Sequence, residues 1–377
     1  MYDKIRCVPE FCQQSLHILR LYNMPSLNLD SAPFEIFLIG DTGDISPVRP
    51  DPVLQTLCAH LDPSQPSAVV FLGDNIYPRG LPPKGNILRK NAENTLIRHH
   101  EALKDYQGKV IFIAGNHDWN KGRKDGYEYI LRQEKYIQEL FGGKNVFLPS
   151  NGCPGPAKVN IGDNITIVAI DTQWWLQKGL RPIGAQYGCR VNSEDDFFEQ
   201  LEKILEENKH KHLLVLGHHP VYSYAIHGGR FKLKHHIFPL TLYDKDAWIP
   251  LPGIGSLLPL YRKFLGARED MSHPRYRRLR SRLKEILGRY PNLIYAAGHE
   301  HNLQYICKNK NHFIVSGSGS KVKYVVQSGK YLRFGIKCKG FFKLRFEADG
   351  SVYLSAWSVD TTKVLAKGKV IYEEQII

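Results

Sequence analysis

An α/β fold of two packed mixed sheets flanked by helices is what this sequence predicts, and three observations predict it. Short runs of β-branched and aromatic residues recur along the chain and alternate with segments of helical periodicity. Five of those runs end on a glycine followed at once by Asp, Asn or His, the pattern of a chain leaving a sheet at its carboxyl edge. With 377 residues, 42% hydrophobic and 11% aromatic, the chain can bury a substantial core, and the even spread of strands suits one large domain.

Taken in order, strands are expected at Phe34 to Ile39, Ala68 to Leu72, Lys109 to Ala114, Ile165 to Ile170, Leu213 to Leu216 and Leu293 to Ala297. Three more follow at Phe313 to Ser316, Phe342 to Phe346 and Val352 to Trp357. Helices are expected at Pro52 to His60, Asn91 to Lys104, Tyr127 to Phe141 and Asp195 to Glu207. Ser193, with Asp196 three residues on, approximates a capping signal for the last of these. No internal repeat or low-complexity tract interrupts the series. The chain divides into an N-terminal extension over 1–33, one domain over 34–360, and a C-terminal tail over 361–377.

The glycine-terminated blocks carry the chemistry. They are Gly40-Asp41-Thr42-Gly43, Gly73-Asp74-Asn75-Ile76-Tyr77, Gly115-Asn116-His117-Asp118, Gly217-His218-His219-Pro220 and Gly298-His299-Glu300-His301-Asn302. Singly, each has an ordinary reading: Gly-Asp is a common turn, Asn-His a common surface pair, and a lone Tyr a core residue. Together, each behind a strand, they read as one site. Side chains two apart on an extended backbone point the same way, so His299 and His301 stand side by side. Neighbouring imidazoles at a sheet edge can grip two metal ions, which hydrolytic two-metal sites hold about 3.5–4 Å apart.

With these blocks in this order, the chain resembles a calcineurin-like metallophosphoesterase, and within that superfamily the purple acid phosphatase branch, from about Phe34 to about Asp360. The wider superfamily has a histidine two residues after the first-block aspartate, where Gly43 stands here. Purple acid phosphatases also have glycine there and use a tyrosine three residues after the second-block aspartate, the spacing of Tyr77 from Asp74. His227-Gly228 and Ser316-Gly317-Ser318-Gly319 are further echoes. His219, where an aromatic is common, and a longer segment after His227 are departures.

The resemblance implies the four-layer α-β-β-α sandwich of the metallophosphatase fold and a binuclear centre. Carried over residue by residue, it places Asp41, Asp74, Tyr77 and His301 on a first metal and Asp74, Asn116, His218 and His299 on a second, with Asp74 bridging. Two carboxylates and a phenolate concentrate negative charge as a trivalent ion requires, whereas Asn and His suit a divalent one, so Fe(III) with Fe(II), Zn or Mn is the expected pair. The implied reaction is hydrolysis of phosphomonoesters by metal-bound hydroxide. His117 would protonate the leaving oxygen and His227 would contact the substrate phosphate. Plainer readings keep His117 as a histidine held by Asp118, and His227 as a solvated loop residue. A phosphodiesterase or nucleotide pyrophosphohydrolase would use the same centre. A protein-binding module on this scaffold would show eroded ligands.

Two stretches lie outside the shared frame. The insertion at about 228–273 mixes basic, aromatic and Pro/Gly elements, reading either as a substrate-selecting lid rimming the cleft or as a surface excursion. Arg275 to Lys284 reads as a basic amphipathic helix, a solvated face or a contact for polyanions or a membrane surface. A formal net charge of +14 favours anionic partners, a phosphorylated small molecule or a phosphoprotein. No zinc-finger or RNA-recognition motif accompanies that charge, so specific nucleic-acid recognition is not expected. The seven cysteines include no CxxC pair, and spacing alone leaves their pairing open. Met1 to Leu27 has no continuous apolar core of a secretory signal, and no stretch suits a membrane span. Cytoplasmic and exported locations both fit.

Overall fold

Side-chain alternation along the strands builds the molecule as two stacked sheets. The computed structural model describes residues 33–46, 51–143, 145–242, 244, 246–361 and 368–377. The expected N-terminal extension, with Cys7 and Cys12, therefore lies outside the described residues apart from Pro33. The strands are β1 (Phe34–Ile39), β2 (Ser67–Phe71), β3 (Lys109–Phe112), β4 (Ala157–Ile161), β5 (Ile165–Ala169), β6 (His212–Leu216) and β7 (Ile294–Ala297). After them come β8 (Leu303–Lys308), β9 (Asn311–Ser316), β10 (Leu332–Ile336), β11 (Gly340–Phe346), β12 (Val352–Val359) and β13 (Gly368–Gln375). One sheet has the order β13-β12-β11-β1-β2-β3 and the other β10-β8-β9-β7-β6-β5-β4. Parallel pairing joins β1 to β2 and β2 to β3, and likewise runs from β5 through β6 and β7 to β9. The remaining neighbours are antiparallel.

Alternate residues of each strand serve opposite faces. Ile36, Leu38, Val70 and Ile111 of the first sheet meet Ile167, Leu214, Ile294 and Ile314 of the second in one buried cluster between the sheets. The intervening Phe37, Val69, Phe71 and Phe112 face outward into a cluster with Leu57, Leu96 and Ile130 of the helices Pro52–Cys58, Arg89–Ala102 and Gly126–Phe141. Phe141, for example, packs on Phe112 with ring centroids 5.2 Å apart. On the other side Val168, Val215 and Tyr295 share that outer environment with Leu201 and Leu283 of the helices Glu194–Glu207 and Pro274–Leu287. Each such fully buried side chain contributes about 1.5–3 kcal/mol. The arrangement is the predicted sandwich.

The caps explain where helices begin. Asp51 accepts hydrogen bonds from Val53 N and Leu54 N, both at 2.9 Å. Ser193 Oγ accepts one from Asp196 N at 3.0 Å, so the Ser193–Asp196 signal marks a true helix start. The stretch expected as a C-terminal tail contains β13, paired antiparallel with β12. Cys153 and Cys189 form a disulfide with Cα atoms 5.5 Å apart. Among the described residues no helix is long and apolar enough to cross a membrane.

The basic helix Pro274–Leu287 buries Tyr276, Leu279, Leu283, Ile286 and Leu287. Much of its charge has intramolecular work. Arg280 donates to Val221 O and Met271 O, Arg275 donates to Gln177 O, and Arg282 lies over the Phe198 ring.

Candidate metal centre

The loops after β1, β2 and β3 and those after β6 and β7 leave the two sheets at adjoining edges. Asp41 N donates to Gly73 O at 2.9 Å, Gly40 N to Ser316 O at 2.7 Å, and Gly298 N to His218 O at 3.0 Å, tying the loops together. Four of the predicted ligands turn with left-handed backbones: Asp41 (φ 57°), Asp74 (φ 54°), His299 (φ 71°) and His301 (φ 47°). Such conformations cost about 1–3 kcal/mol each and persist where the surroundings over-determine them. The glycines make room for the carboxylates. A Cβ on Gly115 would lie 2.3 Å from Asp74 Oδ1, and one on Gly298 2.6 Å from Asp41 Oδ2.

Two groups of donors result. In the first, the Tyr77 hydroxyl lies 2.9 Å from Asp41 Oδ1, 3.0 Å from Asp74 Oδ2 and 3.0 Å from His301 Nε2. In the second, Asn116 Oδ1 lies 3.1 Å from both His218 Nε2 and His299 Nδ1. Asp74 belongs to both, because its Oδ1 is 3.5 Å from His218 Nε2. All seven predicted ligands are thus brought together. Burial, then the Asp41 charge, pushes Asp74 well above the carboxylate range, while burial with Asp41 and Asp74 pushes the Tyr77 phenol up. Burial drives His299 well down and His301 to about 4, so both imidazoles keep a lone pair.

The hydrogen bonds show that these donors suit cations. Leu72 O takes the proton on His218 Nδ1 at 2.8 Å, leaving Nε2 bare. The Asn116 amide nitrogen donates to Glu269 Oε1 at 2.9 Å, which turns Oδ1 toward the histidines. His299 Nε2 lies 3.3 Å from Glu269 O, which leaves Nδ1 bare. With each ring in the tautomer that these contacts favour, three lone-pair atoms face one another, an arrangement that a bound cation satisfies. Across the shared carboxylate, the paired acids Asp41 and Asp74 find only histidines as ion-pair partners among the described residues.

A family model for calcineurin-like phosphoesterases matches residues 34–303, which span every block of this centre. The chain belongs to the calcineurin-like phosphoesterase family. Comparison with curated protein sequences yields no match. Among solved structures the fold is similar to "GAP50 the anchor in the inner membrane complex of Plasmodium", with 16% identity, 92% of this chain and 89% of that one covered, and a TM-score of 0.54. It is also similar to the purple acid phosphatase PPD1 from yellow lupin seeds (15% identity, 92% and 54% covered, TM-score 0.52). The third is PhoD (9% identity, 93% and 70% covered, TM-score 0.55).

Within this phosphoesterase, packing explains the glycine at position 43. A Cβ there would lie 2.5 Å from Ile76 N, and Gly43 O accepts a hydrogen bond from Tyr77 N at 3.1 Å. The turn that presents Tyr77 thus occupies the space a residue-43 side chain would need.

His117 sits at the mouth of the centre. Pro78 O takes its Nδ1 proton at 2.6 Å, and Nε2 points back to 3.9 Å from Asp74 Oδ2. Asp118 does not hold this ring. Its carboxylate accepts from Gly115 N, Asp74 N, Asn75 N and Gln133 Nε2 and so fixes the loops. Nor is His227 a solvated loop residue: it is buried, with Nδ1 3.0 Å from Asp270 Oδ1 and its ring 4.4 Å from that of His299. His219 is buried as well, its Nδ1 2.8 Å from Thr172 Oγ1.

Sequence reasoning missed Glu269 and Asp270. Both come from the end of the 228–273 insertion, which is therefore built into the centre. Their only sequence signal was an acidic pair closing a basic segment.

Proposed function

We propose that the chain is a binuclear metal-dependent phosphomonoesterase. The observation that carries this reading is Asp74, which presents Oδ2 to a carboxylate and phenol group and Oδ1 to a group of proton-free amide and imidazole atoms. Asp41, Asp74, Tyr77 and His301 would hold one ion, and Asp74, Asn116, His218 and His299 the other. The anionic first group favours Fe(III), and the second favours Fe(II), Zn or Mn. Bound ions supply charge compensation for the phosphoryl oxygens and a more acidic water.

The chain's own residues do the rest. His117, anchored through Nδ1, aims Nε2 into the centre. Burial followed by the nearby Lys121 lowers its pKa well below the usual value, so the ring is neutral in the absence of substrate. Nε2 would take up the proton it passes to the leaving oxygen only with the anionic ester bound beside it. His227, locked by Asp270, offers Nε2 toward a phosphate oxygen. Lys121 and Lys321 act electrostatically on His117, and Lys323 lies within the field of Glu300, Glu269 and Asp41 without forming an ion pair to Asp41, so the rim suits an anionic phosphorylated small molecule or phosphoprotein. The Plasmodium neighbour is known as an anchor. In this chain the filled donor set favours an enzyme over a scaffold.

The test is a side-by-side assay of p-nitrophenyl phosphate and its bis-ester on metal-loaded protein and on Asp74→Ala. The expected result is clear preference for the monoester, two ions per wild-type chain and no turnover in the variant. A preference for the diester would replace the reading with a phosphodiesterase. No turnover of either ester by fully loaded protein would leave the scaffold.

A further inference from the structure

The helix Leu257–Phe264, inside the insertion, is built inside out. Its buried positions are Pro259 and Arg262, whereas Leu257, Leu260, Tyr261, Phe264 and the following Leu265 are 66, 42, 48, 63 and 66% exposed. A helix on a globular protein turns its apolar stripe inward. Here the inward anchor is the Arg262 guanidinium, whose Nε donates to Asp270 Oδ2 at 2.9 Å, and the apolar face is left outside. The neighbouring helix Leu233–Ile237 exposes Leu233, and Trp248, Ile249 and Ile254 on the connecting segment are each more than half exposed. So much clustered apolar surface marks a contact.

Cations lie among these residues. Lys234 Nζ is 5.1 Å from the Trp248 ring centroid and Lys263 Nζ 5.5 Å from that of Phe264. Over the insertion, residues 228–273, the sequence has seven Lys and Arg against four Asp and Glu. Glu269, Asp270 and Arg262 are turned inward, which leaves six cations against Asp244 and Asp246. We propose that this face docks on a lipid bilayer surface carrying anionic headgroups. Charge complementarity selects that occupant. Protein interface cores are depleted in lysine. A helix lying in a bilayer interface, in contrast, combines an apolar face, flanking lysines whose stems run along apolar surface, and Trp or Tyr at headgroup depth. The proposal does not depend on the reaction assigned to the metal centre.

The experiment is flotation of the full chain with phosphatidylcholine vesicles, with and without phosphatidylglycerol, at low and high salt. Tryptophan fluorescence is a second readout, since Trp248 is exposed whereas Trp119, Trp174 and Trp175 are buried. Expected are binding to the anionic vesicles that falls with salt and a blue shift absent from Trp248→Phe. Leu257→Ser with Leu260→Ser and Phe264→Ser should abolish flotation while hydrolysis of a soluble phosphomonoester and the thermal melt stay unchanged. Lys234→Gln and Lys263→Gln should each weaken binding roughly fivefold, as for one lysine near an anionic surface. Flotation that is equal with neutral vesicles, or retained by the triple serine variant, would overturn the proposal. A dimer seen by light scattering that the same variant dissolves, without vesicle binding, would give the face to a second copy of the chain and overturn it as well.

Discussion

Glu269 accepts the Asn116 amide proton at 2.9 Å with its side chain and meets His299 Nε2 at 3.3 Å with its backbone carbonyl. One residue of the insertion thus decides which atoms of two candidate ligands face the second metal position. Groups that orient ligands in this way are worth about 10–100-fold in metal affinity. Glu269→Ala is expected to lose that much affinity for the second ion while keeping the first, and Glu269→Gln, which retains an acceptor, to stay near wild type. Titration of metal-free protein with zinc measures it. Equal zinc affinity in wild type and Glu269→Ala would remove Glu269 from this role.

His117 is separable from the ligands because its ring is held by Pro78 O, outside both donor groups. His117→Ala should therefore keep both ions and lose about 10²–10⁴-fold in turnover. The loss should be steepest for esters with poor leaving groups and smallest for p-nitrophenyl phosphate, whose leaving oxygen hardly needs a proton. A loss that is the same across a leaving-group series would assign His117 to substrate binding instead.

Tyr77 has its ring 4.2 Å from that of His117, and Lys321 lies 3.5 Å from the ring centroid, so packing holds the phenol in place when its oxygen is removed. Burial and the two aspartates keep the phenol protonated in the absence of a cation, and only a strongly charged ion would displace that proton. Iron-loaded, oxidised protein should show a broad visible absorption from phenolate donation into Fe(III), and Tyr77→Phe should bleach it and retain less iron. A colourless wild type, fully active with two divalent ions, would end the ferric assignment.

The ligand blocks were legible in the sequence because their cause is local. A strand, a glycine and one donor side chain occupy adjacent positions, so Gly73-Asp74 or Gly298-His299 declares where a donor leaves the sheet. The extended backbone expected at His299 and His301 is, however, replaced by left-handed turns (φ 71° and 47°) that send the two rings to different donor groups. Three of the four edge strands were not legible, nor was the inner strand β8, whereas the edge strand β3 was. β4, β10 and β13 each have a single hydrogen-bonded neighbour and bury few side chains, so Ala157–Ile161, Leu332–Ile336 and Gly368–Gln375 carry little apolar signal. Glu269 was hidden for a different reason: its partner Asn116 is 153 residues away, and no local pattern encodes so distant a meeting. Where the basic residues of Pro274–Leu287 make their contacts was likewise a tertiary outcome.

Asp270 offers a test by pH. Burial alone would push its carboxyl up, but hydrogen bonds from His227 and Arg262, with their charges, hold it at about 2. An aspartate in the unfolded chain titrates near about 3.9. The unfolded state therefore takes up the proton first as pH falls, and the stabilisation, roughly 2–3 kcal/mol, is complete above about pH 4 and lost as pH drops through about 2. Asp270→Asn should lack that contribution and also leave Arg262 buried without its anion, so at neutral pH it should be destabilised by about 3–5 kcal/mol. Urea melts of wild type and variant at about pH 6 and pH 3 check the sign, because the gap between them must narrow at the lower pH. A gap of constant size would show that Asp270 does not carry its charge in the way the Arg262 and His227 contacts require.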